Sequence, residues 1–392
     1  MDSSAITFSF FLIFSGAALF ATLALYTRQP LIIAYIALGA CIGPFGVSLV
    51  TDTKLLGDIG HVGIIFLLFL LGLDMQPQAL WATLRKSTVV AIFSSAIFMG
   101  MGFAVALLFG FSRMDALVIG AAMMFSSTII GIKLLPTTVL HHRHIGELMI
   151  GLLLFQDLLA IIVLMVLYSA AEGSDAGGMA KGLTLSLLGL PLLAGGALLV
   201  VRYILLPLIT RFDRFHEYIF LLAIGWCLGL AECASLLGLS EEIGAFIAGI
   251  TIATSPISQY IAVNLKPLRD FFLILFFFSV GARFDFALLG EVWAPALLLS
   301  LLVLGLKPVV YRFLLKGVSE KRSLAWDLGF RLGQASEFSL LIAYVAIGSA
   351  LISEQASLLI QATTIITLLA SSYIVVLNYP TPIAISDRLR RD

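Results

Sequence analysis

The chain has 392 residues, of which 60% are hydrophobic and 12% are charged, and its mean hydropathy is +1.09. Soluble globular domains carry about 25% charged residues, so this composition excludes a soluble domain. The 23 basic and 23 acidic residues balance, which removes the basic field that nucleic-acid binding requires. The composition predicts a membrane protein in contact with the lipid bilayer and no nucleic-acid partner.

Apolar runs separated by polar breaks extend along the whole sequence. A bilayer core about 30 Å thick is crossed by about 20 apolar residues in a helix, and about thirteen runs meet this measure. Their centres lie near Gly16, Leu38, Leu67, Phe98, Ala122, Gln156, Leu193, Ile224, Phe246, Leu275, Val303, Glu337 and Ile365. We therefore expect an all-α integral membrane protein with about 13 transmembrane helices.

Lysine and arginine concentrate in alternate loops, and this asymmetry predicts the orientation of the chain. With the N-terminus outside, the outer loops hold Lys54, Arg113, Lys181 and Arg283. The inner loops hold Arg28, Arg85, Lys86, Arg143, Arg211, Arg214, Lys266, Arg269, Arg312, Lys316, Lys321, Arg322, Arg388, Arg390 and Arg391. We expect an external N-terminus and a cytoplasmic C-terminus in a bacterial inner membrane.

The domain organisation is expected to be simple. Residues 1–380 should form one transmembrane domain, and residues 381–392 a basic cytoplasmic tail. The sequence contains no GxGxxG or GxxxxGK[ST] fingerprint and no Cys/His spacing typical of zinc. It also lacks the HExxH, GxSxG and GxGD motifs of enzymes. We therefore expect no cofactor in this chain, no resident metal and no enzymatic activity.

Asp157 is the ionisable residue placed deepest in an apolar run. An ionised side chain at the bilayer centre costs about 2.5–3.5 kcal/mol on insertion scales and usually faces a pathway or a partner. Asp157 stands roughly a dozen residues, or about 18 Å of helix, from the nearest inner basic loop. Its carboxyl group must be paired, line an aqueous cavity or take up a proton, which makes it a candidate proton carrier. Its neighbour Gln156 offers an amide without charge.

Two other spans have polar clusters that are typical of interrupted helices. Ser126, Ser127 and Thr128 precede Gly131, and hydroxyl groups of this kind can satisfy a locally opened backbone. In transporters built from inverted repeats, two broken helices cross near the midplane and present carbonyls and helix ends to an ion. The serines could alternatively serve as polar contacts between intact helices.

The second cluster is Arg331, Gln334 and Glu337, which recur every three residues and would share one face if the segment were helical. We expect this span to be the second broken helix and to cross the first. Lys307 precedes a proline in mid-span, and a buried ammonium needs a partner. Asp157 and Glu337 are the available carboxylates, and the sequence leaves the choice open. Arg331 is expected to brace the region electrostatically.

The chain resembles a known family, the monovalent cation:proton antiporters of the second class. It is most similar to the membrane domain of Kef-type glutathione-regulated potassium efflux systems. The resemblance rests on LFQD at 154–157, FSSTIIG at 125–131, GAFIAG at 244–249 with FFFSVG at 276–281, and GQASEF at 333–338. Weaker support comes from LLGLDM at 70–75 and ACIGP at 40–44.

The resemblance implies a homodimer of thirteen-helix protomers that each contain crossed, broken helices. Sodium-exporting relatives often have a second aspartate, or an asparagine, where this chain has Gln156, so the resemblance implies that the glutamine favours potassium. Family members commonly continue into a nucleotide-binding regulatory domain, which would follow residue 392. Nucleotide and glutathione would then regulate the full-length protein.

Together these features predict the exchange of cytoplasmic K⁺ for an external proton. Both would compete for Asp157, with help from Gln156 and the hydroxyls at 126–128, while Lys307, Arg331, Gln334 and Glu337 support the site. One K⁺ against one H⁺ moves no net charge. The alternatives are a Na⁺/H⁺ antiporter and a ligand-gated potassium channel on the same scaffold.

Overall fold

The computed structural model describes residues 3–27, 29, 31–50, 53–74, 77–127, 131, 144–172, 189–212, 214–237, 239, 241–253, 255, 257–318 and 320–380. The described part contains helices and no strands, which confirms the all-α fold class. The chain forms two compact units. The first comprises Met1–Thr51, Trp81–Val163 and Val280–Asp392, and the second comprises Asp52–Leu80 and Leu164–Ser279.

Fourteen helices lie in the described part of the chain. In chain order they are α1 (Ser3–Tyr26), α2 (Leu31–Ile42), α3 (Thr53–Asp74), α4 (Pro77–Leu108), α5 (Arg113–Met123), α6 (His144–Glu172), α7 (Gly189–Arg211), α8 (His216–Leu236), α9 (Glu241–Ala253), α10 (Ile257–Ala282), α11 (Phe286–Gly317), α12 (Arg322–Arg331), α13 (Glu337–Gly348) and α14 (Glu354–Asn378). A π-helical turn interrupts α7 at Val201–Leu205.

Six of the described helices are long and apolar enough to cross a membrane. They contain Thr7–Tyr26, Thr88–Leu108, Gly189–Arg211, Glu217–Leu236, Phe286–Gly317 and Glu354–Asn378. Every expected span centre lies on a described helix. Two of these centres stand at helix ends, since Ala122 is next to the last residue of α5 and Glu337 opens α13. The total number of crossings stays a prediction, as does the inverted repeat.

The first unit packs α4, α6, α11 and α12 around a shared apolar core. Phe98, Leu152, Tyr311 and Leu328 are fully buried members of this core. Helix α13 packs against α5 and α14, and α14 also packs against α11. This arrangement brings the end of α5, the start of α13 and the middle of α6 together.

The second unit depends on close backbone contacts between α3, α8 and α9. A Cβ added at Gly72 of α3 would overlap the carbonyl oxygen of Phe246, and one at Gly249 of α9 would overlap that of Phe69. Small residues of this kind let transmembrane helices approach closely and gain dispersion contacts. In the same unit His61 Nε2 lies 3.2 Å from Oε1 of the buried Glu242.

Candidate cation and proton site

The first break follows α5 and leaves its last carbonyl groups without helical donors. Helix α5 ends at Met123, and residues 125–127 are not helical. Side chains from other helices donate to the freed oxygens instead. Ser339 Oγ donates to Ala122 O at 2.6 Å, and Lys307 Nζ donates to Phe125 O at 2.6 Å. The negative end of the α5 dipole is thereby satisfied by donors of the first unit.

The second break separates α12 from α13 and occupies residues 332–336. Ser336 caps α13, because its side chain accepts from Phe338 N at 3.2 Å, and Ser339 completes a capping box. The prediction that this span is interrupted is confirmed. Gln334 lies in the break, so Arg331, Gln334 and Glu337 do not share one continuous helical face.

The two breaks contact each other directly. Ser126 Oγ donates to Leu332 O at 2.8 Å, and Gln334 Nε2 approaches Ser127 O at 3.4 Å. Both serines are buried. The predicted meeting of two broken helices is therefore observed on the α5 side, while Thr128 and the rest of the first span beyond it lie outside the described residues, apart from Gly131.

Gln156 of α6 clamps the first break. Its Oε1 accepts from Ser126 N at 3.0 Å, and its Nε2 donates to Tyr311 OH at 2.8 Å and to Met124 O at 3.3 Å. The amide is fully buried. Gln156 thus holds the opened backbone of residues 124–126 in place, and its groups are engaged by protein partners.

Lys307 links the two breaks. Its Nζ donates to Phe125 O in the first break, to Gln334 O at 2.9 Å in the second, and lies 3.4 Å from Ser126 Oγ. Three acceptors match the three N–H groups of an ammonium. The Phe98 ring lies 5.1 Å from Nζ. The pairing expected with Asp157 or Glu337 is wrong in the part of the chain that is described, because backbone carbonyls take the place of a carboxylate.

The proline after Lys307 does not end its helix, which continues through Pro308 to Gly317. Helix α12 approaches this point closely. A Cβ at Gly329 would lie 2.8 Å from Pro308 O, so only glycine fits without displacement of the backbone. The contact fixes α12, and with it the second break, beside Lys307.

Asp157 is buried next to Gln156, with 2% of its surface exposed. Among the described residues no side chain or backbone group donates a hydrogen bond to its carboxylate. Glu337, at the first position of α13, lies close enough to interact with Asp157 electrostatically and is 9% exposed. A second acidic group therefore stands near Asp157, and it comes from α13.

Arg331 lies at the far end of the second break. Its Nε donates to Asp327 Oδ1 at 2.6 Å, and its Nη2 donates to Pro380 O at 2.8 Å. The expected bracing role is consistent with this geometry. Gln334 lies within the second break. Its Nε2 donates to Arg331 O at 2.9 Å, and its Oε1 accepts from Ser371 Oγ at 2.9 Å.

Two residues of this region were not predicted from the sequence. The hydroxyl of Tyr311 accepts from Gln156 Nε2 at 2.8 Å. Asp115, buried in the first turn of α5, accepts from Ser353 N at 2.8 Å. A tyrosine in an apolar run has no distinctive spacing in the sequence. A serine followed three positions later by an acidic residue is a helix-start signal, and this signal could have indicated Asp115.

The fold and the polar breaks define a membrane-embedded secondary transporter. A family model described as "Sodium/hydrogen exchanger, transmembrane" matches residues 11–377. The chain belongs to this sodium/hydrogen exchanger family, and it is a cation/proton antiporter.

Two relatives and one solved structure show the range of the family. The chain is 30% identical to the glutathione-regulated potassium-efflux system protein KefC of Klebsiella pneumoniae, over 84% of this chain and 54% of the relative. It is 30% identical to the ammonium/H⁺ antiporter subunit AmhT of Alkalihalophilus pseudofirmus, over 87% of this chain and 86% of the relative. The sodium proton antiporter MjNhaP1 of Methanocaldococcus jannaschii superimposes with a TM-score of 0.70 at 19% identity, over 95% of this chain and 99% of that one.

These comparisons confirm the resemblance to Kef-type antiporters and the prediction of a transporter rather than an enzyme. The chain spans about half the length of the Klebsiella relative. The tail at 381–392 lies outside the described residues, so the predicted boundary at residue 380 stays a prediction.

Proposed function

We propose that this chain exchanges cytoplasmic K⁺ for an external proton at Asp157. The observation that carries the proposal is the state of that carboxylate. It is buried, it receives no hydrogen bond from the described residues, it follows Gln156, which holds the first break, and it interacts electrostatically with Glu337, which begins the helix after the second break. A buried carboxylate in this state favours a cation or a proton as its partner.

The charges of the site support a one-for-one exchange. Lys307 contributes one positive charge, while Asp157 and Glu337 contribute two negative charges when both are ionised. One monovalent cation, or one proton on Asp157, then brings the sum to zero. The empty site keeps one uncompensated negative charge, which is costly in hydrocarbon. Loaded states therefore cross between the two faces and the empty state does not, and this couples the two fluxes.

The passenger is proposed to contact Asp157 and the hydroxyl oxygens near the first break. Ser126, Ser127 and Thr128 supply oxygens of the type that bind alkali cations. Gln156 and Gln334 hold the backbone of the breaks, because their amides are already engaged. Asp157 is 2% exposed, so loading requires a movement that admits water from one face at a time.

K⁺ is the proposed cation because Gln156 replaces the second aspartate of sodium-exporting relatives. The potassium-efflux name of the Klebsiella relative supports this choice. We further propose a homodimer in a bacterial inner membrane, with the N-terminus outside and the C-terminus in the cytoplasm. Regulation by nucleotide and glutathione would belong to a longer protein that contains this chain.

Flux measurements in proteoliposomes test the proposal. K⁺, Na⁺, Rb⁺ and NH₄⁺ are offered separately while internal pH and membrane current are recorded together. We expect proton movement with K⁺ and Rb⁺, little with Na⁺, and no steady current. Current that follows K⁺ flux would contradict the one-for-one ratio, and cation flux without proton movement would indicate a channel.

Two aspartate variants are compared, one as the test and one as its control. Asp157→Asn should abolish exchange, because an amide cannot bind a proton or balance a cation. Asp285→Asn changes the N-cap of α11, where the side chain accepts from Ala287 N, and should keep exchange. Equal exchange by both variants would overturn the assignment of Asp157.

A further inference from the structure

Helix α14 carries buried polar side chains along one face. At about 100° per residue, Ser357, Gln361, Thr364 and Ser371 fall within about 80° of one another. They are 4%, 8%, 0% and 1% exposed. Thr367 lies at the edge of this face and is also buried. Polar groups at this depth in a transmembrane helix usually mark a pathway or a partner. These five residues are called the polar file below.

One end of the polar file opens beside a cavity of about 320 Å³. Asp115, Glu291, Gln355 and Ser353 are among its lining residues. Ser353 caps α14, and its N–H donates to Asp115 Oδ1 at 2.8 Å. The cavity therefore places two carboxylates at the end of the helix bundle where α5 and α14 begin.

The other end reaches the second break. Thr367 Oγ1 accepts from Ala335 N at 3.1 Å, and Ser371 Oγ donates to Gln334 Oε1 at 2.9 Å. From Ser353 to Ser371 the helix rises about 27 Å. The polar file thus connects the acidic cavity with the backbone segment that holds the candidate ion site.

Gln361 lies in the middle of the file with an unsatisfied acceptor. Its Nε2 donates to Ser357 Oγ at 3.1 Å, so its amide lies along the file. Its Oε1 is buried and has no hydrogen-bond partner among the described residues. A buried acceptor of this kind is energetically unfavourable unless a donor reaches it. Buried polar groups left over by the protein are commonly satisfied by water.

We propose that the polar file is a hydrated route for the proton between the acidic cavity and the ion site. This inference rests on the proposed function, and in the proposed orientation the cavity faces outside. A water bound to Gln361 Oε1 would connect the hydroxyls of Ser357 and Thr364. Each hydroxyl or water passes one proton forward and accepts one from behind. One proton therefore enters from the cavity, one leaves toward Asp157, and the file regains its composition.

The inner end of the route is closed in this structure. The Gln334 amide is engaged at both ends, with Ser371 on one side and Arg331 O on the other. A proton can leave the file only when the second break moves. This coupling prevents a steady proton leak through the site. Thr364 Oγ1 donates to Ile360 O of its own helix. If the polar file were purely structural, it would contain no water, and such hydroxyl groups would have no further partner.

Thiol labelling tests for water in the file without depending on transport. Cys41, Cys227 and Cys233 are first replaced by alanine in the full chain, and Gln361→Cys or Ala362→Cys is then introduced. The two positions are adjacent and buried, but only Gln361 faces the file. We expect methanethiosulfonate ethylammonium to label Gln361→Cys about tenfold faster, since it reacts with thiolates in contact with water. Ser357→Cys provides a second position in the file. Equal labelling of file and control positions would overturn the proposal.

A transport measurement then tests the proton route. Thr364→Val removes a hydroxyl from the file, and Thr251→Val makes the same change on α9, where the buried Thr251 Oγ1 also donates to its own helix. We expect Thr364→Val to lower the maximal exchange rate about tenfold with an unchanged KM for K⁺, and Thr251→Val to resemble the wild type. Equal rates for the two variants, or a change in KM alone, would contradict the route. If the wild type does not exchange K⁺ for protons, the proposed function fails, while the labelling result still decides whether the file holds water.

Discussion

The two units bring their helices together in opposite ways. In the second unit, α3 and α9 meet through bare backbone at Gly72 and Gly249. In the first, α5, α6, α11 and α13 meet through buried polar side chains such as Gln156 and Lys307. Glycine contacts leave helical hydrogen bonds intact and give a tight apolar seam. Opened helices require side-chain donors, and one of these donors, Gln156, is the sequence neighbour of Asp157. In the first unit, buried polar side chains are therefore found where the helical backbone is interrupted.

Loss of the link between the breaks should have the largest effect. Lys307→Met removes the donor to Phe125 O and Gln334 O and leaves both carbonyls buried without that partner. We expect the free energy of unfolding to fall by about 1–3 kcal/mol for each carbonyl left without a donor and exchange to disappear. Thermal unfolding in detergent and proteoliposome flux measure both. Lys316→Met, at an exposed position in the last turn of α11, should change neither, and equal effects would contradict the link.

A methyl group in the glycine seam should affect stability alone. Gly249→Ala places a Cβ against the carbonyl of Phe69, and overpacking of this kind costs about 1–3 kcal/mol. The melting temperature should fall while the KM for K⁺ stays constant in the protein that remains folded. Gly229→Ala on α8 meets no atom within 4 Å and should be neutral. A changed KM in Gly249→Ala would show that the seam takes part in binding.

The hydroxyl of Tyr311 should contribute a smaller amount through Gln156. Tyr311→Phe removes the acceptor at 2.8 Å but keeps the ring in the core. We expect a loss of about 1 kcal/mol in stability and a several-fold lower exchange rate, because the Gln156 amide gains freedom to rotate. The exposed Tyr203 provides the matched Tyr→Phe control. An unchanged rate in Tyr311→Phe would mean that Met124 O and Ser126 N suffice to hold the amide.

Removal of the second carboxylate should have the mildest effect. Glu337→Gln takes away a negative charge that interacts with Asp157, so the attraction for the cation weakens. We expect the KM for K⁺ to rise about three- to tenfold. The empty site of this variant has no net charge, so it can also cross, and less than one proton should move for each K⁺. Glu354→Gln at the exposed start of α14 should leave the KM unchanged. Complete loss of exchange in Glu337→Gln would make Glu337, and not Asp157 alone, the binding group.

The sequence predicted the fold class well because apolar runs report bilayer-crossing helices directly. Polar clusters also marked both interruptions, at Ser126 and at Gln334. The exact ends of the broken helices were harder to predict from the sequence. Arg331, Gln334 and Glu337 have helical spacing, yet Ser336 begins a new helix by capping it. A cap of this kind is visible in the sequence only once the break is known.

The partners within the site could be predicted only in part. Residue type and depth were enough to select Asp157, Gln156 and Lys307. A carboxylate was expected as the partner of Lys307. The opened helices supply backbone carbonyl oxygens in its place, and no side-chain pattern in the sequence reveals them. Tyr311 was missed for a related reason, since its role depends on the direction of one amide across two helices.

The pH dependence of K⁺ exchange tests the central claim most directly. If a proton and K⁺ compete for Asp157, the apparent KM for K⁺ should rise about tenfold for each unit by which pH falls on the acid side, with the same maximal rate. Asp157→Asn should show no exchange at any pH. A KM that does not depend on pH, or exchange that survives in Asp157→Asn, would contradict the account.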